Sequence, residues 1–143
     1  MKGYSLMELL VVLAVLAVAA AVVAPGVART VEGVRVRAEV GAVAGFLRSA
    51  REQAVSRGQR LEVVIDGEAH ALVLRRPARE DGTLSSRAIS PLLRIAADPT
   101  LRRVTFLPHG MSSGGRLMIE GAGAHPYVIT VDALTGRVTT ARP

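Results

Sequence analysis

The chain has 143 residues, enough for one modest domain with an extension, and a formal charge of +6. It contains no cysteine, which excludes a disulfide framework, thiolate catalysis and a cysteine-ligated metal. Every cation except Lys2 is Arg, beside abundant Ala, Val and Gly, a bias that fits a GC-rich genome; charge alone does not choose among nucleic acid, anionic lipid and solvent as what those arginines face.

Residues 9–24 form an unbroken apolar run of sixteen, LLVVLAVLAVAAAVVA. A secretory signal needs a basic start, an apolar stretch of about 7–15 residues and a small-x-small cleavage site. Here the start has one lysine, and Pro25 directly follows Ala24, a poor context for cleavage. A membrane-spanning helix needs roughly 20 apolar residues, and sixteen rise only about 24 Å. Extending the span back to Tyr4 and on to Ala28 supplies the length but places Glu8 inside it. A carboxylate within a membrane costs about 2.5–3.5 kcal/mol on the mild insertion scales, so an intramembrane acid reads as functional. The alternative puts Glu8 at the membrane edge, stabilised by the positive end of the helix dipole.

After Pro25 and Gly26, where the helix is expected to bend or melt locally, helical periodicity resumes. Val36, Val40, Val43, Leu47, Ala50 and Ala54 recur at spacings of four and three, a stripe suited to packing on a sheet. Arg35, Arg37, Glu39, Arg48, Arg51 and Glu52 lie largely off it, and Gly58 is a natural stop. Gly41 and Gly45 form a GxxxG that reads as room for close packing.

The remainder is strand-like. Residues 61–65 and 70–74 flank Asp66-Gly67, a short-hairpin signal. Residues 75–90, polar and containing Pro77, Asp81 and Gly82, read as an exposed loop. Strands follow at 102–107, 116–120 and 127–131, the last joined through Asp132 to Gly136 to residues 137–140. Asp at the start of that turn and Gly at its end suit a type I turn closed by a left-handed residue. A long helix followed by antiparallel strands gives an α+β class.

The stretch Lys2-Gly3-Tyr4-Ser5-Leu6-Met7-Glu8-Leu9-Leu10 resembles the processing signal of type IV pilins and type II secretion pseudopilins. The resemblance implies cleavage after Gly3 by a prepilin peptidase, N-methylation of the new terminus Tyr4, and an assembly role for Glu8. Tyr4, Ser5 and Met7 stand where Phe, Thr and Ile are usual. Ile129 and Val131 followed by Gly136, Arg137 and Val138 resemble the ending of the H-type minor pseudopilins, close relatives of the T-type minor pilins. A pilin-like fold is then expected, with residues 1–3 as leader, 4–28 as transmembrane and assembly helix, 29–58 as amphipathic half-helix and 59–143 as a periplasmic β-rich domain. The implied function is a minor pseudopilin of a type II secretion system, held in the inner membrane and assembled into a periplasmic pseudopilus. Implied partners are the other pseudopilins, the prepilin peptidase and the inner-membrane assembly platform. The alternative is a minor pilin for pilus assembly or DNA uptake, with Arg102, Arg103, Arg137 and Arg142 as a salt-sensitive DNA-binding patch. Thr139 stands where the DNA-binding pilins carry a second Arg, which weakens that alternative.

Nothing else in the chain promises chemistry. His70, His109 and His125 have no helical spacing from one another, and a metal site would need distant loops. The run at residues 110–115 lacks the Lys-Ser/Thr of a phosphate loop, Gly121-x-Gly123 lacks the rest of a dinucleotide fingerprint, and Ser112 and Ser113 lack a nucleophile-elbow setting. No cofactor and no enzymatic activity are expected.

Overall fold

A computed structural model of the chain describes residues 5–77, 82–91, 93–97, 102–121 and 125–143, with residues 24–30 described through their backbone. Helix α1 spans Leu6–Ser56, 51 residues and about 77 Å at 1.5 Å per residue. Ser5 caps its start, the Ser5 hydroxyl accepting from the Met7 N–H at 3.3 Å. Its end is a Schellman closure: Gly58 N–H donates to Val55 O, Gln59 N–H to Ala54 O, and Gly58 has φ 60. Helical backbone passes unbroken through Pro25 and Gly26, so the break predicted there does not interrupt the helix. Proline removes one N–H donor, and the long helical runs on both sides hold the turn across that single gap.

Eight strands follow: β1 Leu61–Asp66, β2 Ala71–Arg75, β3 Thr83–Ala88, β4 Leu93–Ala97, β5 Arg103–Phe106, β6 Gly115–Gly121, β7 Tyr127–Val131 and β8 Val138–Ala141. They form two antiparallel sheets, ordered β3-β2-β1-β5 and β4-β6-β7-β8. α1 lies against β1 and β5 of the first and β6, β7 and β8 of the second. The architecture is α+β, a helix packed on antiparallel sheets.

The stripe read from periodicity is the helix's contribution to the core: Val36, Val40, Val43, Leu47, Ala50 and Ala54 are all buried. Opposite them lie alternate residues of the strands, Leu61, Val63, Leu72, Leu74, Val104, Phe106, Leu117, Ile119, Ile129 and Val131. Fully burying one such side chain contributes about 1.5–3 kcal/mol.

Several expectations need correction. Residues 75–90 are not simply an exposed loop, because β3 pairs with β2 and Arg87 reaches Glu39 of α1 at 3.7 Å. β4 was not legible at all, yet it pairs with β6 along its length. Gly41 and Gly45 permit no close packing within the chain, since a Cβ on either would meet nothing within 4 Å. The first hairpin is also wider than two residues: Asp66 pairs with Ala71, and its Oδ1 accepts from the Glu68 and Ala69 N–H groups at 3.0 and 2.9 Å.

Candidate functional site

The N-terminal half of α1 is apolar on every side. Leu6–Val23 has a mean hydropathy of 2.9, and none of it is buried by the rest of the chain. Eighteen residues rise about 27 Å, close to the thickness of a bilayer's hydrocarbon. A helix with no polar face belongs among lipid tails or among other helices like itself. Glu8 is its one acid, exposed at the third helical position, where the first turn's free N–H groups and the dipole favour negative charge. Gly3 and Tyr4 lie outside the described residues; Tyr4 directly precedes the capping Ser5, and Glu8 follows four residues later.

The four candidate DNA-contacting arginines do not stand together. Arg102 and Arg103 lie at the start of β5, on the edge of the first sheet, with Arg103 Nε 3.6 Å from Glu62 Oε2. Arg137 and Arg142 flank β8 in the second sheet at its opposite ends, and the Arg142 guanidinium lies 5.9 Å from the Tyr127 ring centroid. Glu62 is a buried acid on the outer face of β1, bracketed by Arg103 and by Arg75 Nε at 3.5 Å. Leaving that carboxylate without a cation would be costly, so these two arginines serve the sheet first.

Two arginines that lie off the apolar stripe of α1 join the parts of the domain. Arg51 Nε donates to Gly110 O and to Thr135 O, each at 3.1 Å, linking α1 to the β5–β6 loop and the β7–β8 turn. Arg48 Nη2 donates to Val138 O of β8 at 3.4 Å. Gly136 sits inside the clasp: it has φ 62, and a Cβ there would lie 2.2 Å from Gly110 O and 2.8 Å from Arg51 Nε. The Gly136-Arg137-Val138 ending is therefore a packing requirement at Gly136, and Arg137 projects into solvent.

The turn itself has the geometry read from Asp132 and Gly136. Asp132 Oδ1 accepts from Leu134 N–H at 3.1 Å, Thr135 N–H at 2.8 Å and the Thr135 hydroxyl at 2.8 Å. These bonds, the Thr135 N–H first, hold the Asp132 carboxyl below the usual carboxylate range. Ser112 locks the neighbouring loop, its hydroxyl donating to Asp132 O at 2.8 Å and its N–H to Ala133 O at 2.9 Å.

The histidines lie in separate connections: His70 in the β1–β2 turn at φ 44, His109 exposed after β5 and His125 exposed before β7. Among the described residues no three His, Asp or Glu side chains group as a metal site. What the described residues offer is a bare apolar helix with one acid, and a domain clasped to it by Arg48 and Arg51.

Comparison with known proteins agrees with both parts. The profile of the family described as Type II transport protein GspH matches residues 39–135, and that of the prokaryotic N-terminal methylation motif matches residues 1–24. The type II secretion system protein H of Xanthomonas campestris pv. campestris is 26% identical over 141 residues, covering 96% of this chain and 82% of that protein. Two solved structures share the fold. The type IV minor pilin FimU of Pseudomonas aeruginosa aligns with a TM-score of 0.63 at 14% identity, over 74% of this chain and 87% of that one. The minor pseudopilin EpsH of the Vibrio cholerae type 2 secretion system aligns with a TM-score of 0.61 at 16% identity, over 78% and 98%.

Proposed function

The chain belongs to the GspH family of type II transport proteins, and from that premise we propose that it is a minor pseudopilin, a structural subunit of a type II secretion pseudopilus. The observation that carries this reading is one helix with two fates. Its second half is consumed by the domain core, while Leu6–Val23 has nothing of its own chain to bury it. Such a helix is held first by the inner membrane and then by the helices of neighbouring subunits, with residues 59–143 on the periplasmic side. The methylation motif over residues 1–24 supports cleavage between Gly3 and Tyr4 by the prepilin peptidase, N-methylation of Tyr4, and engagement by the assembly platform.

Processing leaves an amine on Tyr4, four residues before Glu8 in the sequence. Neither charge is comfortable alone in a low-dielectric helix bundle, and the pair is far cheaper than either separately. The amine of an incoming subunit pairs with Glu8 of a neighbour already in the filament, which sets axial register. Mass spectrometry of the mature protein is expected to find a chain beginning at methylated Tyr4. Glu8→Leu is expected to stay in the membrane fraction but drop out of purified filaments; undiminished incorporation would overturn the pairing. Deleting the gene is expected to abolish exoprotein release and spare transformation by DNA. The reverse phenotype would transfer the protein to a DNA-uptake pilus.

A further inference from the structure

The end of the domain reached by the last turn of α1 carries apolar side chains that the fold leaves outside. Val55 in that turn is 45% exposed, Met111 in the β5–β6 loop 40%, and Leu134 in the β7–β8 turn 77%. Scattered exposed apolar residues are ordinary, but these three ride on adjoining backbone. A Cβ on Gly110, the neighbour of Met111, would lie 3.8 Å from Val55 Cγ2, and Ser112 N–H bonds to Ala133 O, beside Leu134. Both loops are fixed, by Arg51 across them, by Asp132 Oδ1 within the turn and by the Ser112 hydroxyl between them. Leu134 is thus held outward on a rigid turn, so little ordering entropy remains to be lost when something covers it.

The surroundings are basic. Arg57 and Arg137 are exposed beside this end, and the adjoining groove between α1 and the β7–β8 hairpin holds Arg48, Arg51 and Arg137 against Glu52 and Asp132. Of those two acids, Asp132 is occupied by its own turn.

Resting on the pseudopilin reading above, we propose that Leu134, Met111 and Val55 form the docking surface for the periplasmic domain of a different pseudopilin, one that presents an apolar patch with an acidic rim. This end of the domain lies at the C-terminal end of α1, at the other end of the helix from the apolar half Leu6–Val23. A two-fold contact with a second copy of this chain is disfavoured, because it would bring Arg57 and Arg137 against their own counterparts.

The test uses the full chain, in cells that build the assembly, with Leu134 replaced by the photo-crosslinking residue benzoylphenylalanine. After illumination, an adduct to another pseudopilin is expected at a yield about tenfold above that from the same residue in place of Glu68, in the exposed β1–β2 turn; adding Arg137→Glu should reduce the yield by a similar factor. An adduct to a second copy, an adduct to lipid, or a yield no higher than at Glu68 overturns the proposal. Filament purification separates the two levels. A chain present in filaments without the adduct removes this surface alone, whereas a chain absent from filaments removes the pseudopilin reading and this surface with it. Leu134 is exposed and lies outside the core cluster, so unchanged melting of Leu134→Asp, together with about tenfold less co-purifying pseudopilin, is the second expected result.

Discussion

The apolar residues of α1 before Pro25 and those of its stripe from Val36 to Ala54 are of the same kinds, Val, Leu and Ala, yet the first are all exposed where described and the second are all buried. What separates them is spacing. Arg and Glu interrupt the second half so that its apolar residues fall on one line, and one line is what a sheet covers. The first half has no interruption after Glu8, so no single neighbour satisfies it. One half is answerable to the domain and the other to its surroundings.

That division is open to attack, most forcefully at Leu47. It is fully buried, and Leu47→Ala should lower domain stability by about 2–5 kcal/mol through lost burial and a residual cavity, read by thermal melting in detergent. The matched change Leu13→Ala should leave the melt within about 0.5 kcal/mol of wild type while weakening membrane retention; equal destabilisation by both would break the comparison. A smaller effect is expected at the clasp joining the packed half to the last hairpin. Gly136→Ala must accept a left-handed backbone and move Gly110 O, at a cost of about 2–3 kcal/mol, with membrane extraction unaltered.

The smallest effect is electrostatic. The Asp132 carboxyl is held below its usual range in the folded chain, so its contribution is present above the unfolded carboxyl's ordinary value and is lost as the pH falls through the lower folded one. Melts from about pH 5 downward should therefore show wild type's advantage over Asp132→Asn shrinking toward acid. An advantage that grows toward acid would mean that the turn is held by something other than the charge.

Periodicity made the helix legible, because the six stripe positions recur with a period that no strand shares. Alternation did the same for β1, β2, β6 and β7, whose inward residues are Leu, Val and Ile. β3 was hidden because Thr83–Ala88 has almost nothing to bury; it is a strand through its partner β2 and through Arg87, not through its own composition. β4 follows Pro91 at a sheet edge and was hidden because, beside Arg94 and two alanines, only Leu93 and Ile95 mark an inward face. The processing segment was legible as a motif, and the N-terminal methylation profile matches it over residues 1–24; the roles proposed for Gly3, Tyr4 and Glu8 follow from that match. Arg51 was not legible, since its two acceptors are backbone carbonyls 59 and 84 residues away. Glu62 offered a faint signal, an acid within an apolar strand, but not the two arginines that bracket it.

Both sheets are open, and β8 ends one of them. An open edge is a template on which strands of other molecules can stack. Arg48 occupies the Val138 carbonyl on that edge, and β3 at the edge of the other sheet is polar and largely exposed. Backbone hydrogen bonding between copies is discouraged at both places, which keeps the sheet edges from stacking where one domain meets another.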